Sequence, residues 1–138
     1  MTECFDPHIS EAALGSMSSL ALAHVGDAVY ELLVRTQLSL GGKCTARGLH
    51  RETVRWVAAP AQARAARRLE PLLNDAEREI FRRGRNAHVH SVPRGAAVGE
   101  YHAATGLETL FGWLYLRGER ERLGELFTWI MEETDDAT

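Results

Sequence analysis

Two carboxylates in apolar surroundings are the side chains of this sequence best suited to do chemistry. Asp27 lies in residues 23–31 and Glu108 in residues 104–112, and both segments are typical of mostly apolar helices. Burying an unpaired carboxylate is costly, so such a group usually has a cation, several hydrogen bonds or a metal as its partner. If the two helices pack together, Asp27 and Glu108 could hold one hard cation between them.

The acid pair has two possible roles, one functional and one structural. Mg²⁺ prefers oxygen ligands, and it usually takes one or two carboxylates, several waters and phosphate oxygens of a substrate. Such an ion can activate water and offset charge during phosphodiester hydrolysis. Alternatively, Asp27 and Glu108 each pair with an arginine in a structural network, which residue types alone favour because acids on helices are common. Gly26, beside the first acid, indicates close packing or access to it.

Composition indicates a globular protein with one domain over residues 1–138. Hydrophobic residues make up 45% of the 138 residues and charged residues 25%, as in soluble globular proteins. We expect residues 1–17 to form a partly loose arm and residues 134–138 a loose tail. The longest apolar stretch, residues 20–34, is interrupted by charged residues, which argues against a membrane span.

The cysteine content and the start of the chain predict a cytoplasmic protein. Cys4 and Cys44 are the two cysteines, too few for a disulfide framework, and this favours a reducing compartment. No basic segment followed by an apolar one opens the sequence as a secretion signal does.

Positive charge is concentrated in the middle of the chain. Residues 43–94 carry a net charge of +7 and the remaining residues −10, which together give −3. This basic middle could bind a polyanion, or it could be a solvated surface that the acidic ends neutralise. Arg47, Arg51 and Arg55 form one helical stripe whose role is open between solvent and RNA contact.

The hydrophobic pattern predicts an all-α fold, because no segment shows the alternation of a strand. Ser18 or Ser19 can cap the first long helix, and Asn74 with Glu77 has the spacing of a capping box. We expect a loop over residues 86–99, where small residues, glycine and proline are frequent. The predicted helices cover residues 20–40, 46–58, 60–70, 74–84, 101–116 and 119–133.

Three stretches in this order resemble Mini-ribonuclease III, the compact relative of ribonuclease III that consists of the catalytic domain alone. They are GDAVYE at residues 26–31, RRGRNA at 82–87 and YHAATGLETLFGWLYL at 101–116, and the resemblance extends over about residues 20–133. The resemblance implies a ribonuclease III endonuclease-domain fold. It further implies a helical homodimer that cleaves double-stranded RNA with Mg²⁺.

The resemblance assigns the two acids as catalytic metal ligands. Asp27 matches the aspartate of the family's Gly-Asp-Ala sequence, and Glu108 matches the glutamate of the later helix. The larger ribonuclease III enzymes carry two further acids at positions that are Ala23 and Thr105 here. Two carboxylates would therefore share Mg²⁺ with water and RNA phosphate.

The Mini branch lacks a separate domain for binding double-stranded RNA, so the catalytic domain itself would hold the substrate. A-form RNA is recognised mainly by its shape, phosphates and 2′-hydroxyls. The candidate contacts are Arg83, Arg85, Asn86, His88 and His102. By resemblance, the substrate is a stem of the large-subunit ribosomal RNA precursor, cut to leave 5′-phosphate and 3′-hydroxyl ends, with a ribosomal protein as a possible partner.

Two alternatives have different consequences for the acids. A non-catalytic RNA-binding or ribosome-associated protein on the same fold would have no need of both Asp27 and Glu108. An unrelated helical interaction domain would use both acids for stability.

Overall fold

The computed structural model describes residues 5–42, 45–87 and 97–136, with side chains up to Glu132. Within these ranges the chain is all-α and contains no strand, which confirms the predicted fold class. A 3₁₀ turn at Glu70–Leu72 joins the fourth and fifth helices. The helices are α1 Glu11–Gly15, α2 Ser19–Leu40, α3 Ala46–Val57, α4 Ala59–Leu69, α5 Asp75–Arg85, α6 Val98–Arg117 and α7 Arg120–Asp136.

Side-chain caps define where several helices begin. The Ser18 hydroxyl accepts a hydrogen bond from the Ala21 amide at 3.0 Å and starts α2. Asn74 and Glu77 form the predicted capping box at the start of α5. Each of these bonds satisfies an amide that has no partner within the helix.

Helix α6 begins at Val98, earlier than the predicted start at Tyr101. Its N-cap residue, Ala97, has no side-chain oxygen to accept a hydrogen bond, and Gly99 lies in its first turn. These residues are typical of a loop, so no capping signal marks a helix start here.

Helix α6 is the centre of the molecule. It packs against α1, α2, α4, α5 and α7, and Leu107, Leu110 and Phe111 have no exposed surface. Tyr30 of α2 is also buried, with its ring edge-on to Phe111 at a centroid distance of 5.4 Å. A helix that is apolar on nearly all sides is typical of a buried core element.

Two glycines bring the backbones of α2 and α6 into direct contact. A Cβ atom at Gly26 would overlap the backbone carbonyl of Glu108, and one at Gly112 would overlap the backbone carbonyl of Leu22. The predicted close packing at Gly26 is therefore confirmed. This contact places the two acid-bearing segments side by side.

None of the helices in the described ranges is both long and apolar enough to cross a membrane.

Candidate metal and active site

The crossing of α2 and α6 brings Asp27 and Glu108 together. Their carboxyl groups lie close enough to interact, with Asp27 exposed and Glu108 partly buried. The juxtaposition predicted from the two helices is therefore present. Their role as metal ligands stays a prediction.

The surroundings of Glu108 disfavour its charged form. Burial raises the pKa of Glu108, and the hydrogen bond and negative charge of Asp27 raise it further, to about 8. The carboxamide of Gln62 acts in the opposite direction and favours the carboxylate. A bound cation would act in the same direction as Gln62 and favour the Glu108 carboxylate.

No basic side chain neutralises the acid pair in the described part of the chain. Arginine ion pairs in these ranges involve other acids, as in the 3.0 Å contact between Arg35 and Glu31 on the same helix as Asp27. The structural alternative, in which each acid pairs with an arginine, finds no support among these residues. Tyr30, one turn beyond Asp27, is buried and packs against Phe111 in the core.

Gln62 of α4 is a residue of this site that the sequence analysis missed. Its side chain is only 2% exposed, its Nε2 donates to the Val57 carbonyl at 3.1 Å, and its amide lies against Glu108. A signal was available, because position 62 falls on the same helical stripe as Ala66 and Leu69. A glutamine on that stripe is a polar side chain among apolar neighbours, which indicates a polar partner inside the molecule.

The donor atoms of the site suit Mg²⁺. They are oxygens of two carboxylates and a neighbouring carboxamide, and Gln62 Oε1 is buried with no hydrogen-bond partner among the described residues. The described residues contain no cluster of three or more histidine, cysteine, aspartate or glutamate side chains that could hold a metal. Mg²⁺ is normally bound by one or two carboxylates, with water and substrate phosphate completing its coordination.

The two positions where larger ribonuclease III enzymes carry acids contribute no ligand here. Ala23 is buried and has no polar side chain. Thr105 is also buried, and its hydroxyl donates to the Tyr101 carbonyl at 3.0 Å.

Two of the predicted RNA contacts share a cavity of about 440 Å³ between the end of α5 and the start of α2. Arg83 and Asn86 line it and are exposed, and their neighbour Arg82 is paired with Glu79 at 2.8 Å. The remaining lining residues are Ser18, Ser19, Leu20 and Ala87. An open cavity with two guanidinium groups offers cationic donors to phosphate.

The other predicted RNA contacts do not line this cavity. The Arg85 guanidinium lies 3.6 Å from the Glu70 carboxylate and 5.8 Å from the centroid of the Phe81 ring. His102 is partly buried, and its Nδ1 has no hydrogen-bond partner among the described residues. His88 lies outside the described residues.

The stripe Arg47, Arg51 and Arg55 on α3 is exposed, and Arg55 pairs with Glu52 at 3.2 Å.

Comparisons with known proteins identify the family. The family model described as Ribonuclease III domain matches residues 20–119. A Mini-ribonuclease 3 of Thermoanaerobacter sp. (strain X514) is 46% identical over 86% of this chain and 85% of its own length. A Mini-ribonuclease 3 of Synechocystis sp. (strain ATCC 27184 / PCC 6803 / Kazusa) is 47% identical over 86% of this chain and 80% of its own.

A solved structure agrees with this relationship. The crystal structure of protein FN1578 from Fusobacterium nucleatum superposes with a TM-score of 0.79 at 27% identity, covering 86% of this chain and 95% of that one. The family match and these relatives rule against the non-catalytic alternative and the unrelated interaction domain. The chain belongs to the ribonuclease III family, within its Mini-ribonuclease 3 branch, and is an endoribonuclease.

Proposed function

We propose that the protein is a Mg²⁺-dependent endoribonuclease that cleaves double-stranded RNA at the Asp27–Glu108 pair. The observation that carries this proposal is the contact between two carboxyl groups that no basic side chain neutralises within the described ranges. Mg²⁺ at this pair would supply activation of water and neutralisation of charge on the phosphodiester. Asp27 and Glu108 would hold the ion.

The protein's own groups would act on the proton and on the substrate. Glu108 must lose its proton to bind a cation, and the Gln62 amide favours that charged form. Arg83 and Asn86 line the open cavity and would contact phosphates of the duplex. Because A-form RNA is read by shape and backbone, binding of this kind would depend little on base sequence. Arg85, His88 and His102 remain candidate contacts.

We extend the proposal to the assembly and the biological substrate. Residues 1–138 would form one catalytic domain that works as a homodimer, with one site for each RNA strand, so that two cuts leave short 3′ overhangs. The substrate would be the paired stem of the large-subunit ribosomal RNA precursor in the cytoplasm, with a ribosomal protein as a possible aid. The family resemblance supports these points.

A cleavage assay tests the proposal. Labelled RNA is incubated with the protein as a perfect duplex and as separate single strands, each in Mg²⁺ and in EDTA. We expect cleavage of the duplex alone, in Mg²⁺ alone, with products that a ligase can join through their 5′-phosphates. Cleavage in EDTA would contradict the metal requirement, and equal cleavage of single strands would contradict the substrate.

A further inference from the structure

Gln62 is a polar side chain at a position where packing alone favours an apolar one. It is 2% exposed, and its buried neighbours on α4 include Ala63, Ala65 and Ala66. Its Oε1 is buried without a hydrogen-bond donor among the described residues. A buried acceptor without a donor destabilises the folded state, and an apolar side chain of the same shape would avoid that cost.

The nitrogen of the same carboxamide connects two parts of the molecule. Gln62 Nε2 donates to the carbonyl of Val57, the last residue of α3, at 3.1 Å. Carbonyls at the end of a helix lack partners within the helix, so this bond fixes the amide in place. An amide nitrogen carries two hydrogens, and the Gln62 carboxamide also interacts with the Glu108 carboxyl.

We infer that Gln62 is a positioning residue that holds the Glu108 carboxylate against Asp27 in the arrangement that accepts a divalent cation. This inference rests on the proposed function. The anchor at Val57 makes the amide a fixed donor, so Glu108 gains a defined orientation before the ion arrives. Groups that orient a metal ligand in this way typically contribute 10–100-fold to metal affinity.

A positioning role and a purely structural role predict opposite results for Gln62→Met. Methionine has a similar length and no buried acceptor to satisfy, so a positioning role predicts unchanged or higher stability without metal and weaker cation binding. A structural role predicts lower stability and unchanged cation binding.

The test uses Mn²⁺ alone as the probe, titrated into the full chain and followed by electron paramagnetic resonance. Urea unfolding in EDTA measures stability in parallel. We expect Gln62→Met to bind Mn²⁺ about 10–100-fold more weakly than wild type, with a urea midpoint no lower. Gln37→Met makes the same chemical change at an exposed position of α2 and should leave both values unchanged. Gln62→Asn, whose shorter amide cannot span both partners, should also weaken binding and serves if the methionine variant fails to fold.

The outcomes separate this inference from the proposed function. Asp27→Asn provides the reference for loss of the site. If wild type binds no more Mn²⁺ than Asp27→Asn, the proposed metal site is wrong and the inference falls with it. If wild type binds Mn²⁺ and both Gln62 variants match its affinity, only the positioning role of Gln62 is overturned.

Discussion

Glu77 and Glu108 are two acids of one chain that the fold treats in opposite ways. The Glu77 side chain is 3% exposed, and both of its oxygens accept hydrogen bonds from Arg122 at 2.8 Å. Burial acts to raise the pKa of Glu77, but the Arg122 guanidinium and the Asn74 amide outweigh it and hold the pKa below its usual value. Glu108 instead faces a second carboxyl group, and its pKa is raised.

The difference is that Glu77 has a cationic partner within the protein, whereas the Asp27–Glu108 pair has no such partner among the described residues. Arg122 also donates to the Leu72 carbonyl at 2.8 Å and to Glu125 at 3.0 Å, so it ties the start of α5 to α7. Glu77 is thus neutralised by the protein itself. A cation bound from solution would have the corresponding effect on Glu108.

The largest expected effect is loss of cleavage when either acid of the site is made neutral. Asp27→Asn and Glu108→Gln should each slow cleavage of a labelled RNA duplex about a thousandfold, equivalent to about 4 kcal/mol, because charge neutralisation by the cation is lost. Binding of the duplex should persist. Single-turnover assays with saturating enzyme measure this.

Glu77→Gln provides the matched control for the same change in the other acid. It should retain cleavage within a few-fold of wild type when assayed well below its unfolding temperature. Comparable losses in Glu77→Gln and Asp27→Asn would show that the two acids do not differ in function.

The second expected effect tests the helix crossing that creates the site. Gly26→Ala should lower the free energy of unfolding by more than about 3 kcal/mol and abolish cleavage, because its Cβ would overlap the backbone of Glu108. Gly124→Ala, in α7 with no heavy atom within 4 Å of the new Cβ, should stabilise by about 0.5–1 kcal/mol. Urea unfolding measures both, and a Gly26→Ala protein of normal stability would disprove the close crossing.

The third prediction concerns the loss of the ion pair between Arg122 and Glu77. Arg122→Met should cost about 3 kcal/mol of unfolding free energy, because it leaves Glu77 buried without its cation. Adding Glu77→Gln removes that charge and should restore part of the loss while keeping the capping box. Urea unfolding of the single and double variants decides this, and a double variant less stable than Arg122→Met would contradict the explanation.

The smallest expected effect is a pH dependence of opposite sign for the two acids. Because the pKa of Glu108 is raised, the contribution of Glu108 to metal-free stability is fully present below about pH 4.5. That contribution is lost as the pH rises through about 8. Because the pKa of Glu77 is lowered, the contribution of Glu77 to stability is present above about pH 4.5. That contribution is lost as the pH falls through the folded-state pKa.

Comparing wild type with Glu108→Gln isolates the first of these trends. In EDTA, wild type should lose on the order of 1–2 kcal/mol relative to Glu108→Gln between about pH 5 and pH 8, a reduced value because Glu108 is only partly buried. Urea unfolding at several pH values gives the difference. Parallel stability curves would show that Glu108 titrates normally.

The sequence predicted those features that depend on local signals. Ser18 and Asn74 mark the starts of helices through capping, and these signals act within a few residues. The contact between Asp27 and Glu108 was also predictable, because Gly26 indicated a close helix crossing beside the acid. The family resemblance supplied the predicted roles of these acids, which spacing alone left open.

The features that the sequence did not reveal depend on packing between distant segments. Gln62 reaches Glu108 only because α4 packs against α6, and no local pattern specifies that contact. Arg122 meets Glu77 across 45 positions of sequence, so the capping box was predictable while its ion pair was not. The start of α6 at Val98 has no capping side chain to mark it.

Anomalous X-ray scattering from crystals soaked in Mn²⁺ at about pH 8 tests the central claim most directly, since Mn²⁺ takes the oxygen ligands that suit Mg²⁺. We predict an anomalous peak between the carboxyl groups of Asp27 and Glu108, and none beside Glu77. A carboxyl pair that stays free of Mn²⁺ at a saturating concentration, while Mn²⁺ binds elsewhere, would contradict the assignment of this pair as the metal site.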